Sequence, residues 1–424
     1  MKSRRISLFL LIACCMATPL WAGTVTLEEC LEQARRNNPG LKTAAWDTRL
    51  AEEGIRQAES ARYPRVDTQG GYTLQQAAQA VNINRVSIET QQADYAFASL
   101  GATYTLYDFG RRDARVQQAH ALADAAAHTF TARRSDVALQ VIDAFFGILE
   151  ANRLVKTAED EVTQVEQHRR VAQALFEEGS VTRNDVLQAD VRLAAARQNL
   201  LAAKNRRENA WLQLNFLTGA EQGFRGELDE RAAIVADQGV RPDDRSLIGR
   251  RPEIQALRKT VEASDAEVKE SKGNYYPELF TKLALDYVEN NKVNEQTIMS
   301  ATIGLRMNLF DGFATTSARE RAVRTRSRNQ DALRQSESQV QLEIAQAQND
   351  MRVAQERIGV TETAIRQSEE NLRLNHERYK ERVGTATEVL DAQTLLTQTK
   401  TDYYRALFDF QVASARLKRA IGEL

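Results

Sequence analysis

Glu388 and Asp391 are the residues whose type and spacing most directly allow a chemical role in this sequence of 424 residues. They lie three positions apart, so a helix would carry both on one face, and they follow a turn at Gly384. Carboxylates crowded at one constriction repel each other and attract cations, which would make a cation-selective gate. Taken alone, the residues favour a simpler interpretation, which is two ordinary solvated acids on a helix surface.

Catalytic and metal-binding chemistry finds little support in the sequence. The histidines are isolated on helical stretches, with no cysteine or carboxylate at metal-ligand spacing; they are His120, His128, His168 and His376. No glycine-rich phosphate loop, nucleophile elbow or HExxH pattern is present. The formal charge of −1 lacks the basic balance of a nucleic-acid-binding protein. We therefore expect a protein that is not an enzyme, uses no cofactor and binds no nucleic acid.

The two carboxylates lie in the second copy of a long helical pattern that the sequence contains twice. Apolar residues alternate in steps of four and three, as in a coiled coil, and the pattern returns 203 residues later. The first seam begins Val137, Val141, Ala144, Ile148, and the second begins Val340, Ile344, Ala347, Met351. Return helices repeat with the same offset, from Val186 and from Val389. Each copy therefore predicts two antiparallel helices joined by a turn, at Gly179 or Gly384, with a first helix of about 65–70 residues, or about 100 Å.

Each copy also contains a strand hairpin before its long helix. Pro64 and Pro277 end the preceding helices, and the hydrophobic period then changes from about 3.6 to 2. The predicted strands are 66–74 and 95–107 in the first copy, and 279–287 and 299–309 in the second. A loop rich in Gln and Asn connects the first pair, and it is about ten residues longer than the corresponding loop of the second copy. Strands of about ten residues are long enough to cross a bilayer at a tilt.

Aromatic residues at the strand–helix junctions resemble the girdle of a membrane-spanning barrel at the lipid interface. They are Tyr63, Tyr107, Phe109, Tyr275, Tyr276, Phe310 and Phe313. The alternative is a small exposed sheet on a soluble protein. Four strands per chain cannot close a barrel, and an open edge in lipid leaves unpaired backbone groups. If the strands span a membrane, several chains must share one barrel, and three chains would give twelve strands, an even number.

Residues 1–22 resemble a secretory signal, with a charged start, an apolar run and a small-residue end at Ala22. The apolar run is too short to span a bilayer, which disfavours a membrane anchor. The stretch that ends at Cys14 resembles a lipoprotein processing site, and lipidation there stays open. Cys30 would be alone in the mature chain, so no intramolecular disulfide is expected. The predicted units are a signal (1–22), a first repeat (23–219), a linker or equatorial segment (220–246) and a second repeat (247–424).

The doubled order of these motifs resembles the TolC-like family of outer-membrane efflux and secretion channels. The resemblance rests on the Tyr-Pro steps before the strand pairs and on Leu106-Tyr107-Asp108-Phe109-Gly110, Leu309-Phe310-Asp311-Gly312, Asp185-Val186-Leu187-Gln188-Ala189 and Glu388-Val389-Leu390-Asp391-Ala392. It implies an α+β membrane protein, a homotrimer whose twelve-stranded transmembrane β-barrel continues into a long periplasmic α-helical coiled-coil barrel. It also implies a passive, gated exit in the outer membrane for substrates of a tripartite efflux pump or of type I secretion. The implied partners are outer-membrane lipid, an inner-membrane transporter of RND or ABC type, and a periplasmic adaptor protein at the turns at Gly179 and Gly384.

The resemblance assigns further roles at the turns between the long helices. The family's periplasmic constriction carries acidic residues at the positions of Glu388 and Asp391, which reverses the preference that the residues alone give. A hydrogen bond between Asp185 and Tyr379 is implied as a contact that closes the gate. The family's latch arginine after the second turn has no counterpart, because Gly384 is followed by Thr-Ala-Thr.

Three alternatives stay open at this stage. An exported coiled-coil protein with a structural or adhesive role, outside any membrane, is the other function that the pattern allows. Drugs, metal ions, polypeptides and glycolipids are all possible cargo. A row of arginines after the second hairpin either contacts phosphates of the inner leaflet or forms a solvated helix face; these are Arg319, Arg321, Arg324, Arg326 and Arg328.

Overall fold

The computed structural model describes residues 24–83, 86–234 and 245–424. The expected signal at 1–22 and the part of the expected linker from 235 to 244 lie outside these residues. The helices are α1 (Leu27–Asn37), α2 (Pro39–Glu59), α3 (Arg111–Glu177), α4 (Arg183–Thr218), α5 (Arg245–Arg250), α6 (Pro252–Gly273), α7 (Ala314–Lys380) and α8 (Ala386–Ala420). None of the described helices combines the length and apolar character needed to cross a membrane.

Four strands form one antiparallel sheet and two others form a separate hairpin. The strands are β1 (Arg65–Leu74), β2 (Gln79–Ile83), β3 (Val86–Gln91), β4 (Asp94–Tyr107), β5 (Glu278–Val288) and β6 (Thr297–Arg306). The sheet order is β1-β4-β5-β6, with Gly70 opposite Ala98 and Leu100 opposite Leu285. The two predicted hairpins are therefore joined side by side through β4 and β5. Among the described residues, β1 and β6 are the edges of this sheet.

The stretch predicted to be a Gln- and Asn-rich loop contains the β2–β3 hairpin, so that prediction was wrong. Val81 pairs with Ile88 across the two strands, and their side chains are exposed. The amide of Asn290, from the shorter loop of the second copy, donates to the carbonyl of Thr90 at 2.9 Å. The longer loop is thus an extended hairpin that the other loop holds at its base.

The helices next to the sheet lie side by side in the same order as the strands to which the chain connects them: α2 precedes β1, α3 follows β4, α6 precedes β5 and α7 follows β6. α3 and α7 contain 67 residues each, within the predicted range, and they pair with α4 and α8 in two long hairpins. Near the sheet, α3 packs between α2 and α6, and α6 packs between α3 and α7. The row α2-α3-α6-α7 therefore matches the strand order β1-β4-β5-β6, with α2 and α7 at its two ends.

The largest apolar cluster lies where α3, α4 and α8 pack together. Phe145 and Phe146 of α3 are fully buried there, together with Trp211 of α4 and Phe408 of α8. Phe224, from the segment after α4, packs edge-on against Trp211 with ring centroids 6.1 Å apart. Aromatic burial of this kind fixes the two helical hairpins against each other part-way along their length.

Arg251 joins three helices at the start of the second copy. Its side chain is 2% exposed. The guanidinium donates to the carbonyl of Ala420 in α8 at 2.9 Å and to the carboxylate of Glu343 in α7 at 3.0 Å. It also pairs with Glu253. A buried cation is tolerated only with such partners, so this arginine fixes the end of α8 against α6 and α7.

Replacing Arg251 by methionine is expected to lower the free energy of unfolding by about 1–3 kcal/mol, because Glu253 and Glu343 each lose one of two arginine partners. Arg419 still lies 3.2 Å from Glu253 and 3.4 Å from Glu343. The value is below that of a fully buried pair, since both carboxylates keep some contact with solvent. Urea titration followed by circular dichroism measures the change. Arg258→Met, which removes an exposed arginine 3.4 Å from Glu337, should change the free energy by less than about 0.5 kcal/mol. Equal unfolding midpoints for the two variants would contradict the role given to Arg251.

Candidate functional site

The predicted carboxylate site lies at the two turns between the long helices. In the first turn Gly179 takes a left-handed φ of 72°, and in the second Arg382, 203 residues later, takes 66°. The two turns are thus equivalent positions of the repeat, and the left-handed residue of the second is Arg382 rather than Gly384. Gly384 lies close to Arg378, where an added Cβ would be 3.1 Å from that side chain. Arg382 also lies 3.7 Å from the carboxylate of Glu178, which links one turn to the other.

Asp185 and Glu388 perform the same local task at the starts of α4 and α8. The backbone N–H and the hydroxyl of Thr182 each donate to Asp185 Oδ2 at 2.8 Å. The backbone N–H of Thr385 donates to Glu388 Oε2 at 3.1 Å, and the N–H of Glu388 donates to Thr385 Oγ1 at 3.2 Å. These are capping boxes, which satisfy backbone donors that a helix start leaves free. The Thr-x-x-acid pattern that marks such a helix start is visible in the sequence in both copies.

Glu388 and Asp391 differ in their surroundings despite sharing a helix face. Glu388 is half-buried, and Arg378 Nη1 lies 3.7 Å from its carboxylate. Asp391 is exposed on the next turn of α8. The neighbouring Val389 and Ala392 are buried against α7. Packing of the apolar residues therefore fixes which way the two acids face, while Glu388 also closes the helix start.

The predicted hydrogen bond between Asp185 and Tyr379 is absent from the structure. The Tyr379 hydroxyl is buried and has no hydrogen-bond partner among the described residues. The Asp185 carboxylate instead accepts from Thr182 through Oδ2 in the capping box. Burial, and then the nearby charge of Asp185, raises the pKa of Tyr379. The ring instead packs with Leu372 and Leu396 in an apolar cluster between α7 and α8.

The predicted interfacial aromatics lie at the ends of the four-stranded sheet that meet the helices. All seven are exposed: Tyr63, Tyr107, Phe109, Tyr275, Tyr276, Phe310 and Phe313. Phe109 stacks on Tyr276 at 5.0 Å between ring centroids, which brings the two copies together, and Phe310 packs edge-on against Phe313 at 5.8 Å. Exposed aromatics grouped at one level fit a boundary between apolar and aqueous surroundings.

The family model described as outer membrane efflux protein matches residues 30–220 and 245–423. The chain belongs to the outer membrane efflux protein family. The outer membrane protein TolC of Vibrio cholerae is 22% identical over 422 residues, covering 96% of this chain and 93% of that protein. Protein CyaE of Bordetella pertussis is 24% identical over 419 residues, covering 94% of this chain and 84% of its own length. The TolC-like resemblance seen in the sequence is therefore confirmed.

Solved structures share the fold of this outer membrane efflux protein. The CmeC outer membrane channel of Campylobacter jejuni superposes with a TM-score of 0.83 at 14% sequence identity, covering 94% of this chain and 85% of that one. The family is described by efflux rather than by catalysis, in keeping with the expectation that the chain is not an enzyme. Among the residues that the structure describes, no three His, Cys, Asp or Glu side chains lie close enough to hold a metal ion.

The arginine row of this efflux protein occupies the first turns of α7, next to the sheet. Arg326 faces α6, with Asp265 at 3.6 Å, and Arg319 pairs with the adjacent glutamate at 3.6 Å. Arg321 and Arg324 are exposed and form no ion pair within the described part of the chain. These two charges therefore face away from α6, on the open end of the helix row.

Proposed function

We propose that three copies of this outer membrane efflux protein form a channel-tunnel that gives substrates a passive, gated exit across the outer membrane. The observation that carries the proposal is the four-stranded sheet, whose edge strands β1 and β6 each lack a second partner strand among the described residues. In lipid, an unpaired backbone group costs several kcal/mol. Pairing β6 of one copy with β1 of the next removes every edge, and three copies give a closed barrel of twelve strands.

The internal repeat supports the same arrangement for the helices. Within the chain, the α6–α7 contact repeats the α2–α3 contact: Arg62 donates to Asp113 at 2.7 Å, and at the equivalent positions Tyr275 hydrogen-bonds Thr316 at 3.3 Å. The α3–α6 contact has no such repeat inside the chain, because α7 and α2 lie at opposite ends of the helix row. A neighbouring copy that offers its α2 to α7 supplies the missing contact.

The equivalent positions of the two internal repeats identify the residues that would be in contact between neighbouring copies. Ala121 of α3 lines a groove with Asp265 and Ala266 of α6. The counterpart of Ala121 is Arg324, 203 residues later, and the counterparts of the two α6 residues are Glu52 and Glu53, 213 residues earlier. Arg324 of one copy thus faces two glutamates of the next. We infer that Arg324 serves this contact rather than the phosphates of the inner leaflet.

Exposed apolar residues on α2 support the same contact. Trp46 is 60% exposed and Leu50 is 67% exposed. The counterpart of Leu50 is Ala263, which is buried between α6 and its neighbours. Large apolar side chains in water on a helix face favour association, so α2 is the face that a second copy covers.

The long helices would carry the conduit inward from the membrane. Helices of 67 residues extend about 100 Å, and the exposed aromatics would hold the sheet at the lipid interface. The turns at Gly179 and Gly384 would then lie in the periplasm, where an adaptor protein and an inner-membrane transporter of RND or ABC type dock. The site offers no chemistry that selects one cargo, so the transporter makes that choice.

The proposal predicts a trimer that conducts. Protein extracted from outer membranes should migrate as a trimer in SDS and as a monomer after boiling, because closed strand pairing resists detergent. Reconstituted into planar bilayers, it should give discrete single-channel currents. A purified chain that is monomeric and soluble without detergent would refute the proposal and favour an exported coiled-coil protein.

A further inference from the structure

His168 is a buried histidine without a hydrogen-bond partner, close to the turns. It lies on α3 and is 3% exposed, and both of its ring nitrogens lack a partner among the described residues. A neutral imidazole normally has one donor and one acceptor nitrogen satisfied when it is buried. An imidazolium needs two acceptors, so charging this side chain in place is unfavourable.

The groups around His168 belong to both helical hairpins. The Tyr379 ring of α7 lies 5.1 Å from the imidazole centroid, and the His376 ring lies 6.2 Å from it. The buried side-chain oxygen of Gln164, one turn earlier on α3, also lacks a partner in the described part of the chain. The ring contacts of His168 with Tyr379 and His376 therefore join α3 to α7 near the turns, where unsatisfied polar groups make the packing costly. This group is called the His168 cluster below.

The charged residues around the cluster do not compensate the positive charge that His168 would carry if its imidazole were protonated. Asp185 of α4 attracts positive charge, but neither ring nitrogen of His168 hydrogen-bonds to its carboxylate. Burial lowers the pKa of His168 to about 4, and the neighbouring His376 adds to this effect while Asp185 opposes it. Burial also lowers the pKa of His376, followed by the charge of Lys380. The adjacent Arg169 of α3 is paired with Asp190 of α4 at 2.5 Å.

We propose that the His168 cluster is a proton-sensitive contact between the α3–α4 and α7–α8 hairpins, which loosens in mild acid. The packed state binds fewer protons than the loosened state, so its stability is complete above the ordinary histidine pKa of about 6.5 and falls as the pH approaches 4. With a packed-state pKa of about 4, the loosened population should rise roughly thirtyfold between pH 7.5 and pH 5. Opening of the tunnel in acid is the consequence, and this part rests on the proposed function.

Hydrogen exchange on the full-length protein tests the contact without requiring a channel. Backbone amides in residues 164–180 and 372–393, corrected for the intrinsic effect of pH on exchange, should lose protection at pH 5 relative to pH 7.5. His168→Phe keeps a ring of similar size without a titrating group, and it should remove most of this loss. His120→Phe, which changes an exposed histidine on the same helix, should leave it unchanged.

Two further variants keep the proposal testable if His168→Phe folds poorly. His376→Gln removes the neighbouring titrating ring and should reduce the loss of protection at pH 5. The double variant Glu388→Gln, Asp391→Asn should retain the loss, because the proposed sensor is the histidine pair rather than the acids of α8. Exchange that does not change with pH in the wild type, or the same loss in His168→Phe as in the wild type, would overturn the sensor. If protection is lost in acid but the protein shows no conductance, the proposed pH-sensitive contact is supported and the proposed channel function is refuted.

Discussion

Replacing Glu388 by glutamine and Asp391 by asparagine together is expected to remove the block of ion flow by millimolar multivalent cations. In the proposed trimer, each copy brings two carboxylates to one constriction, where crowded negative charges hold a multivalent cation strongly. The neutral amides keep the side-chain shapes and remove the attraction. The half-blocking concentration of hexaamminecobalt(III), measured on single channels in planar bilayers, should rise at least about tenfold.

The capping role of Glu388 decides which replacement is informative. Glutamine still accepts the backbone N–H of Thr385 at the third position of a capping box, whereas alanine would remove the charge and the cap together. Asp185→Asn is the matched control, because it removes one charge at the equivalent position of α4. That variant should keep the block. Unchanged block in the double variant would remove Glu388 and Asp391 from the constriction.

The sequence predicted the elements whose periodicity is local. The heptad seams predicted two long helices, which the structure contains as α3 and α7, and the alternating stretches predicted four strands that it contains as one sheet. The β2–β3 hairpin was missed, although Val81 and Ile83 alternate with polar residues. The surrounding Gln and Asn residues resembled a loop, and the contact of Asn290 that supports the hairpin is 200 residues away.

The candidate site was predicted less completely, for three different reasons. The capping boxes of Thr182 and Thr385 can each be recognised from four consecutive residues. The prediction assigned Asp185 and Glu388 to the gate and did not use this local pattern. The burial of His168 was not readable, because it depends on α7 packing over a position of α3 that has no unusual neighbours in sequence. The Asp185–Tyr379 hydrogen bond rested on the resemblance alone, and the structure instead gives Asp185 a local role in the capping box and leaves the Tyr379 hydroxyl without a partner among the described residues.

Arg324→Glu is expected to reduce the trimer to less than about a tenth of its wild-type amount. The change would place three acidic side chains together at each proposed contact between copies, and like charges brought together at an interface cost several kcal/mol. Arg324 forms no ion pair in its own chain among the described residues, so the monomer should fold normally by circular dichroism. Trimer content is measured on unboiled samples in SDS and by light scattering in detergent.

Compensation decides between the contact with a neighbouring copy and a contact with lipid phosphate. Adding Glu52→Arg and Glu53→Arg to Arg324→Glu restores opposite charges across every interface of a homotrimer, so the trimer should return. If Arg324 instead binds lipid phosphates, charge reversal on α2 cannot restore that contact. The triple variant would then remain as defective in trimer formation as Arg324→Glu. Arg36→Glu, which reverses an exposed charge on α1, should leave the trimer intact. If the changes on α2 restore the trimer, α7 of one copy must contact α2 of the next copy, as the internal repeat indicates.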